Sequence, residues 1–192
     1  MKIAFKPGTM IYPLPVVMVS CGDDISNFNI MTAAWTGTIC TNPPMCYVSI
    51  RKERYSHDII ARTREFVINL TTENLARTTD WCGVKSGRNT NKFKEMHLTP
   101  EKAQIVKAPL IAESPLNIEC QVVEIKELGS HDMFISNVVA VNAEESLMDK
   151  STGAFQFNHA RPLAYSHGKY YGLGERIGGF GFSVKKEKVK HK

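Results

Sequence analysis

Leu116-Asn117-Ile118-Glu119-Cys120-Gln121-Val122-Val123-Glu124-Ile125-Lys126-Glu127-Leu128 decides the fold class. Its first seven residues alternate apolar and polar with a period of two, the pattern of a β-strand. The phase flips at Val122-Val123, which predicts a β-bulge. Gly129-Ser130 then turns the chain into a second β-rich run from Met133 to Val141. Further on, Leu163-Ala164-Tyr165 and Lys169-Tyr170-Tyr171 flank a turn at His167-Gly168.

Upstream the same grammar repeats. Pro15 to Ser20 is β-branched and ends in the turn signal Cys21-Gly22-Asp23-Asp24, with Asn27 to Trp35 as its hairpin partner. Pro43-Pro44 breaks the chain before a third strand, Met45 to Ile50. Ser56 to Arg62 reads as a short helix, with Ser56 as N-cap and Asp58 in the first turn. Glu65 to Leu70 returns to strand, and Thr72 caps a second short helix running to about Thr79. From Asp80 to Pro115 the pattern is irregular, and long loops of that kind are often functional. Many hairpin-joined strands with a few short helices predict a mainly β, antiparallel barrel. A doubly wound parallel sheet would need more and longer helices.

The chain has 192 residues, 43% of them hydrophobic and 22% charged, which suits one domain with a sizeable core. Uninterrupted apolar runs reach only four residues, against the roughly 20 that a membrane helix needs. Met1-Lys2 leads into Ile3-Ala4-Phe5 and Lys6-Pro7-Gly8 rather than into an apolar signal region, so a cytoplasmic protein without a membrane partner is expected. The net charge of +5 is concentrated in residues 185–192, which hold five lysines and one glutamate; the rest of the chain is nearly balanced. That distribution predicts a frayed basic tail at 185–192 and no nucleic-acid partner. Cys21, Cys40, Cys46, Cys82 and Cys120 are scattered and are expected to be reduced thiols. No Cys/His spacing matches a zinc site, and no metal is expected.

Ser49-Ile50-Arg51-Lys52-Glu53-Arg54-Tyr55-Ser56-His57 is the most informative local feature. A strand ends, cations cluster, and a helix begins. Free N–H groups at a helix start favour an anion, and Arg51, Arg54 and the Ser56 hydroxyl suit a phosphate cradle. The same residues also suit an ordinary capped helix with solvated arginines. Lys85-Ser86-Gly87-Arg88-Asn89-Thr90-Asn91-Lys92-Phe93 is a second basic, glycine-containing stretch, either closing over that anion or forming a plain surface loop. Gly172 to Gly179 lacks the spacing and the βαβ setting of a dinucleotide fingerprint. No nucleophile motif is present, so no catalytic side chain is assigned and a cofactor is expected to supply the chemistry.

Together these stretches resemble the flavin reductase-like family of FMN-binding split β-barrels, and within it the flavoredoxins. The resemblance runs over nearly the whole chain: Tyr12 to Ser20, Asn29 to Trp35, Asn42-Pro43-Pro44, Ser49-Ile50-Arg51, Tyr55-Ser56-His57, Glu65 to Leu70, Ser86-Gly87, Lys92-Phe93 and Gly129-Ser130-His131. It implies a single FMN-binding split-barrel domain over residues 1–192. It also implies a homodimer with FMN near the subunit interface. Asn29, Met31, Thr32, Ala33, Ala34 and Trp35 would then run beside the flavin ring, where the small Ala33 and Ala34 allow close backbone approach. Ser49, Ile50, Arg51, Arg54, Tyr55 and Ser56 would hold the ribityl phosphate, and Ser86, Gly87, Lys92 and Phe93 would close the site. Related reductases carry a G-D-H triplet whose histidine lies near the nicotinamide; here Ser130 takes the middle place, and His131 is the candidate. The implied activity is electron transfer from NADH or NADPH through FMN to free flavin, a ferric chelate or another acceptor. The alternative is an FMN electron carrier that exchanges electrons with a protein partner. Trp35, Tyr47, Phe134, Tyr170, Tyr171, Phe180 and Phe182 are the aromatics expected to need cover from a second subunit.

Overall fold

The computed structural model describes residues 1–184, so the expected frayed tail at 185–192 lies outside the described residues. In chain order the strands are β1 (Leu14–Pro15), β2 (Val17–Cys21), β3 (Asn29–Ala33), β4 (Thr36–Cys40), β5 (Met45–Arg51), β6 (Glu65–Leu70), β7 (Pro100–Glu101) and β8 (Leu110–Ile111). The long pair β9 (Leu116–Glu127) and β10 (His131–Ala143) follows, and then the short hairpin β11 (Leu163–Ser166) and β12 (Lys169–Gly172). Three helices interrupt them: α1 (Tyr55–Thr63), α2 (Ala76–Val84) and α3 (Lys92–Glu95). Among the described residues no helix is long and apolar enough to cross a membrane.

Seven strands form one antiparallel sheet in the order β3-β2-β6-β9-β10-β5-β4. The sheet curls around a core built from Val17, Val19, Met31, Val48, Ile50, Phe66, Ile68 and Phe134, with Ile59 and Ile60 of α1 plugging one end. Its outer strands β3 and β4 do not pair, so the barrel stays split. β1, β11 and β12 make a separate three-stranded sheet. The mainly β, antiparallel split barrel matches the sequence expectation.

Period-two alternation sets which side chain faces where. In β5, Cys46, Val48 and Ile50 point into the core, while Tyr47, Ser49 and Arg51 lie on the outer face. In β10 the register pairs Arg51 with His131, Ser49 with Met133 and Tyr47 with Ile135, so the outer face continues across both strands. Phe134 takes the inward position and is fully buried, which removes it from the aromatics expected to await a partner. Trp35, Tyr171, Phe180 and Phe182 remain exposed.

The bulge expected at Val122-Val123 is present. Ile135 pairs with Glu124 and Ser136 with Val122, leaving Val123 without a partner in β10. The polar side of β9 is not left to solvent. Glu119 is completely buried and accepts the backbone N–H groups of Gln104, Ile105 and Val106 at 2.8–3.1 Å, and the Asn142 amide at 2.9 Å. Burial alone would raise this carboxyl, but the donors outweigh it and hold it below the usual carboxylate range. Glu119 is thus the clamp that folds the irregular 100–112 segment onto the sheet.

One local expectation needs correction, and one strand was not anticipated. The stretch from Asp80 to Pro115 is less irregular than its sequence suggests, because α2 continues to Val84 and α3, β7 and β8 follow. Thr36–Cys40, which shows no marked apolar alternation, forms the edge strand β4 through pairing with β5.

Candidate functional site

The turn between β5 and α1 builds one wall of a cleft of about 270 Å³. Arg54 is the true N-cap, extended at φ −71° and ψ 131°, with no side-chain cap bond. Ser56 therefore sits inside the first helical turn, not at the cap where the sequence reading placed it. Its hydroxyl faces inward, is almost fully buried, and accepts the Asn29 Nδ2–H at 2.8 Å. First-turn N–H groups of a helix have no intrahelical acceptor, so this end of α1 presents donors and the positive end of its dipole.

The opposite wall is the C-terminal end of α2. Arg54 donates from Nη1 to the Gly83 carbonyl at 3.0 Å, and Lys92 donates from Nζ to the Cys82 carbonyl at 2.7 Å. The carbonyl end of a helix attracts cations, so the last turn of α2 holds both side chains at the cleft. Neither cation has a carboxylate within 4 Å among the described residues. Ser86 and Gly87 cover the cleft, and Gly87 lies hard against Asn29: a Cβ built there would stand 2.0 Å from Asn29 Oδ1. Burial pushes the thiols of Cys21 and Cys82 up, to about 12 and about 11, and pulls the Lys92 ammonium down to about 8.

A second cleft, of about 250 Å³, shares Arg54 with the first. Thr32 and Ala34 line it together with Asp80 and Gly83 of α2, and Tyr165 and Tyr170 close it. The Tyr170 hydroxyl donates to Asp80 at 3.0 Å, and its ring meets Tyr165 edge-on at 5.4 Å. Thr32 in turn bonds the Thr79 carbonyl, which ties β3 to α2.

A third cleft, of about 420 Å³, lies on the outer sheet face between Trp35, Tyr47 and Ser49 and the N-terminal segment at residues 8–11. His131 stands beside it, its ring 4.5 Å from that of Trp35 and its Nδ1 2.9 Å from the Ser130 hydroxyl. Burial, then the neighbouring Arg51 cation, lowers the His131 pKa, which favours the uncharged imidazole.

The expected site residues are thus distributed over three clefts. Asn29, Met31, Arg54, Tyr55, Ser56, Ser86, Gly87 and Lys92 meet in the first, and Thr32 and Ala34 join Arg54 in the second. Trp35 and Ser49 belong to the third. Arg51 lies on that outer face too, exposed and ion-paired with Glu53 at 3.3 Å. Ala33, Ile50 and Phe93 are core residues, 6%, 1% and 6% exposed; any role they have in a site runs through their backbone. Glu53 and Lys85 fell within the two quoted stretches without being assigned a place, whereas Cys82 in the first cleft and Asp80, Tyr165 and Tyr170 in the second were missed. The signal for Cys82 was the helical spacing from Thr79, both buried on one face of α2. Among the described residues no cluster of three or more His, Cys, Asp or Glu is placed to hold a metal ion.

The flavin reductase like domain model matches residues 9–174. The fold is similar to that of the flavoredoxin of Desulfovibrio vulgaris (Miyazaki F), with a TM-score of 0.88 and 32% identity over 96% of this chain and all of that one. The flavoredoxin of Methanosarcina acetivorans matches with a TM-score of 0.85 and 27% identity, again over 96% of this chain and all of its own. Among curated relatives, the reductase component of a 4-nitrophenol 4-monooxygenase/4-nitrocatechol 2-monooxygenase from Rhodococcus opacus is 26% identical, covering 78% of this chain and 75% of its own length.

Proposed function

The chain belongs to the flavin reductase-like family, and from that premise we propose that it is an FMN-dependent oxidoreductase. In this reading electrons pass from NADH or NADPH through FMN to free flavin, a ferric chelate or another acceptor, and the working molecule is a cytoplasmic homodimer.

One observation carries the reading: in the first cleft Arg54, at the open start of α1, and Lys92, held on the end of α2, have no carboxylate within 4 Å among the described residues. Uncompensated positive charge around first-turn N–H donors fits one phosphate group. A single such cradle, without a dinucleotide fingerprint, supports FMN over FAD. Gly87 supports it as well, because only a residue lacking Cβ lets the covering loop come so close to Asn29.

Bound FMN supplies two-electron exchange with a nicotinamide and delivery of one or two electrons to an acceptor. The residues bind and orient. Arg54, Lys92 and the first turn of α1 take the phosphate, while the Asn29–Ser56 hydrogen bond fixes the adjoining wall. The backbone from Thr32 to Ala34 would adjoin the flavin, and Tyr165 and Tyr170 line the same cleft. His131, held between Trp35 and Ser130, would face a nicotinamide on the outer face. No side chain is assigned as acid or base.

The likeness to two flavoredoxins favours a second reading, an FMN electron carrier that exchanges electrons with a protein partner. Steady-state oxidation of NADH or NADPH by the yellow holoprotein separates the two. Turnover with free flavin or ferric chelate supports the reductase. A flavin that binds yet stays oxidised under both nicotinamides, while accepting electrons from a reduced protein donor, supports the carrier. A colourless protein that binds no added flavin refutes both.

A further inference from the structure

Lys92 is a cation buried without an anion. Lys92 is 4% exposed, it lines the first cleft, and among the described residues the Cys82 carbonyl is its one hydrogen-bond acceptor. An ammonium has three donors, so two remain uncommitted. The groups that face it are the Cys82 thiol from α2, the Cys21 thiol from β2 and the Arg54 guanidinium from the turn before α1. Tyr55, Lys85 and Glu53 complete the polar lining, and the Glu53 carboxylate is engaged by Arg51. Of these groups the Arg54 guanidinium repels the ammonium. A buried ammonium in such surroundings releases its proton more easily, since nothing repays the loss of water.

Resting on the reading of this cleft as an FMN phosphate site, we propose that Lys92 makes the cleft selective for a phosphate dianion by taking up a proton as the anion docks. The free protein then holds a partly neutral amine, and the bound protein holds an ammonium against the phosphate. One proton moves from solvent to Nζ, and no covalent bond is made or broken. Burial, with Arg54 adding repulsion, places the Lys92 pKa at about 8 in the free protein. The uncharged fraction before binding is then about one-tenth at pH 7 and about nine-tenths at pH 9, and proton uptake on binding follows it. The thiols of Cys82 and Cys21, pushed up to about 11 and about 12, do not titrate in this window.

The test is calorimetric titration of the flavin-free full chain with FMN, at pH 7 and pH 9. Each pH is run in two buffers of widely different ionisation heat, neither containing phosphate. Riboflavin, which has no phosphate, is the second ligand, and Lys92→Arg is the variant, because a guanidinium stays charged throughout. Uptake rising from near zero at pH 7 towards one proton at pH 9 is expected with FMN alone. Lys92→Arg should bind FMN with no uptake, and its affinity should vary less between the two pH values. Tight FMN binding without uptake at pH 9, equal uptake with riboflavin, or undiminished uptake in Lys92→Arg overturns the inference while leaving the FMN reading standing. Failure of the wild-type chain to bind FMN at either pH overturns both.

Discussion

Gly87→Ala is the sharpest test of how the first cleft is built. The added methyl would meet Asn29 Oδ1 at 2.0 Å and Cγ at 2.6 Å, distances that no relaxed structure keeps. Asn29 cannot swing clear cheaply, because it is 3% exposed and its Nδ2 is bound to the Ser56 hydroxyl. Moving it breaks that bond, at about 0.5–1.5 kcal/mol, and forces the side chain off its rotamer, at a further 0.5–1.5 kcal/mol or so. If the covering loop lifts away instead, Ser86 withdraws from the cleft. Either route costs about 1–3 kcal/mol of binding, or roughly five- to a hundredfold in FMN affinity. Quenching of FMN fluorescence on titration into the flavin-free protein measures this directly. The double variant Gly87→Ala/Asn29→Ala removes the obstructing amide, so the penalty of the alanine at 87 should shrink when Asn29 is already gone, a coupling that a double-mutant cycle reads. An unchanged affinity in Gly87→Ala, or additive effects of the two substitutions, would refute the reasoning.

Arg54→Ala should weaken FMN binding by roughly ten- to a hundredfold, the loss of a charge-assisted bond of about 1.5–3 kcal/mol, whereas Arg51→Ala, outside the first cleft, should change it far less; equal losses in equilibrium titration would contradict that assignment. Glu119→Gln should destabilise the fold by about 1–3 kcal/mol at neutral pH by leaving buried N–H groups poorly matched. Because the folded state holds the Glu119 carboxyl below its unfolded value, its contribution is complete above the ordinary carboxylate range and fades as pH falls through the folded pKa. Urea unfolding at pH 7 and at pH 3 should therefore show the variant's deficit narrowing with acid; a constant deficit would count against the clamp. Light scattering should give about twice the chain mass of 21.5 kDa, with Trp35, Tyr171, Phe180 and Phe182 less accessible to quenchers than in a protomer; a stable flavin-loaded monomer would end the dimer reading.

What could be read from the sequence was what short-range chemistry controls. Glu65 to Leu70 has the observed strand bounds, and the phase flip at Val122-Val123 marks the residue left out of the ladder. Both follow from apolar alternation, which needs no knowledge of the rest of the chain. The basic cluster before α1 and the Lys85–Phe93 stretch were likewise visible, since charge and glycine content are local. Their division among clefts was not. Arg51 and Arg54 are three residues apart, yet one ends a strand on the outer sheet face while the other caps a helix and leans onto α2. The side-chain period changes from two to 3.6 between them, and a one-residue uncertainty in that boundary redirects each guanidinium. Ser56 was misread for the same reason: the cap lies two residues earlier, at Arg54, so a capping hydroxyl became an inward one. The sequence placed Lys92 at the site only through the resemblance, because its burial depends on Cys82 and α2, ten residues away.

The register between β5 and β10 also governs how this molecule can change over time. Core and outer cleft are written on alternate positions of the same two ribbons, with Val48 and Ile50 on one side and Tyr47, Ser49 and Arg51 on the other. Substitution can edit either side independently. Insertion or deletion cannot, since adding a single residue between Met45 and Arg51 would rotate an arginine inward and an isoleucine outward together. Insertions should be tolerated outside the sheets, as at the exposed 150–153 turn closed off by the Met148–Phe155 bridge. A library of single-residue insertions should show the contrast as a tolerant stretch around 150–153 beside two intolerant strands.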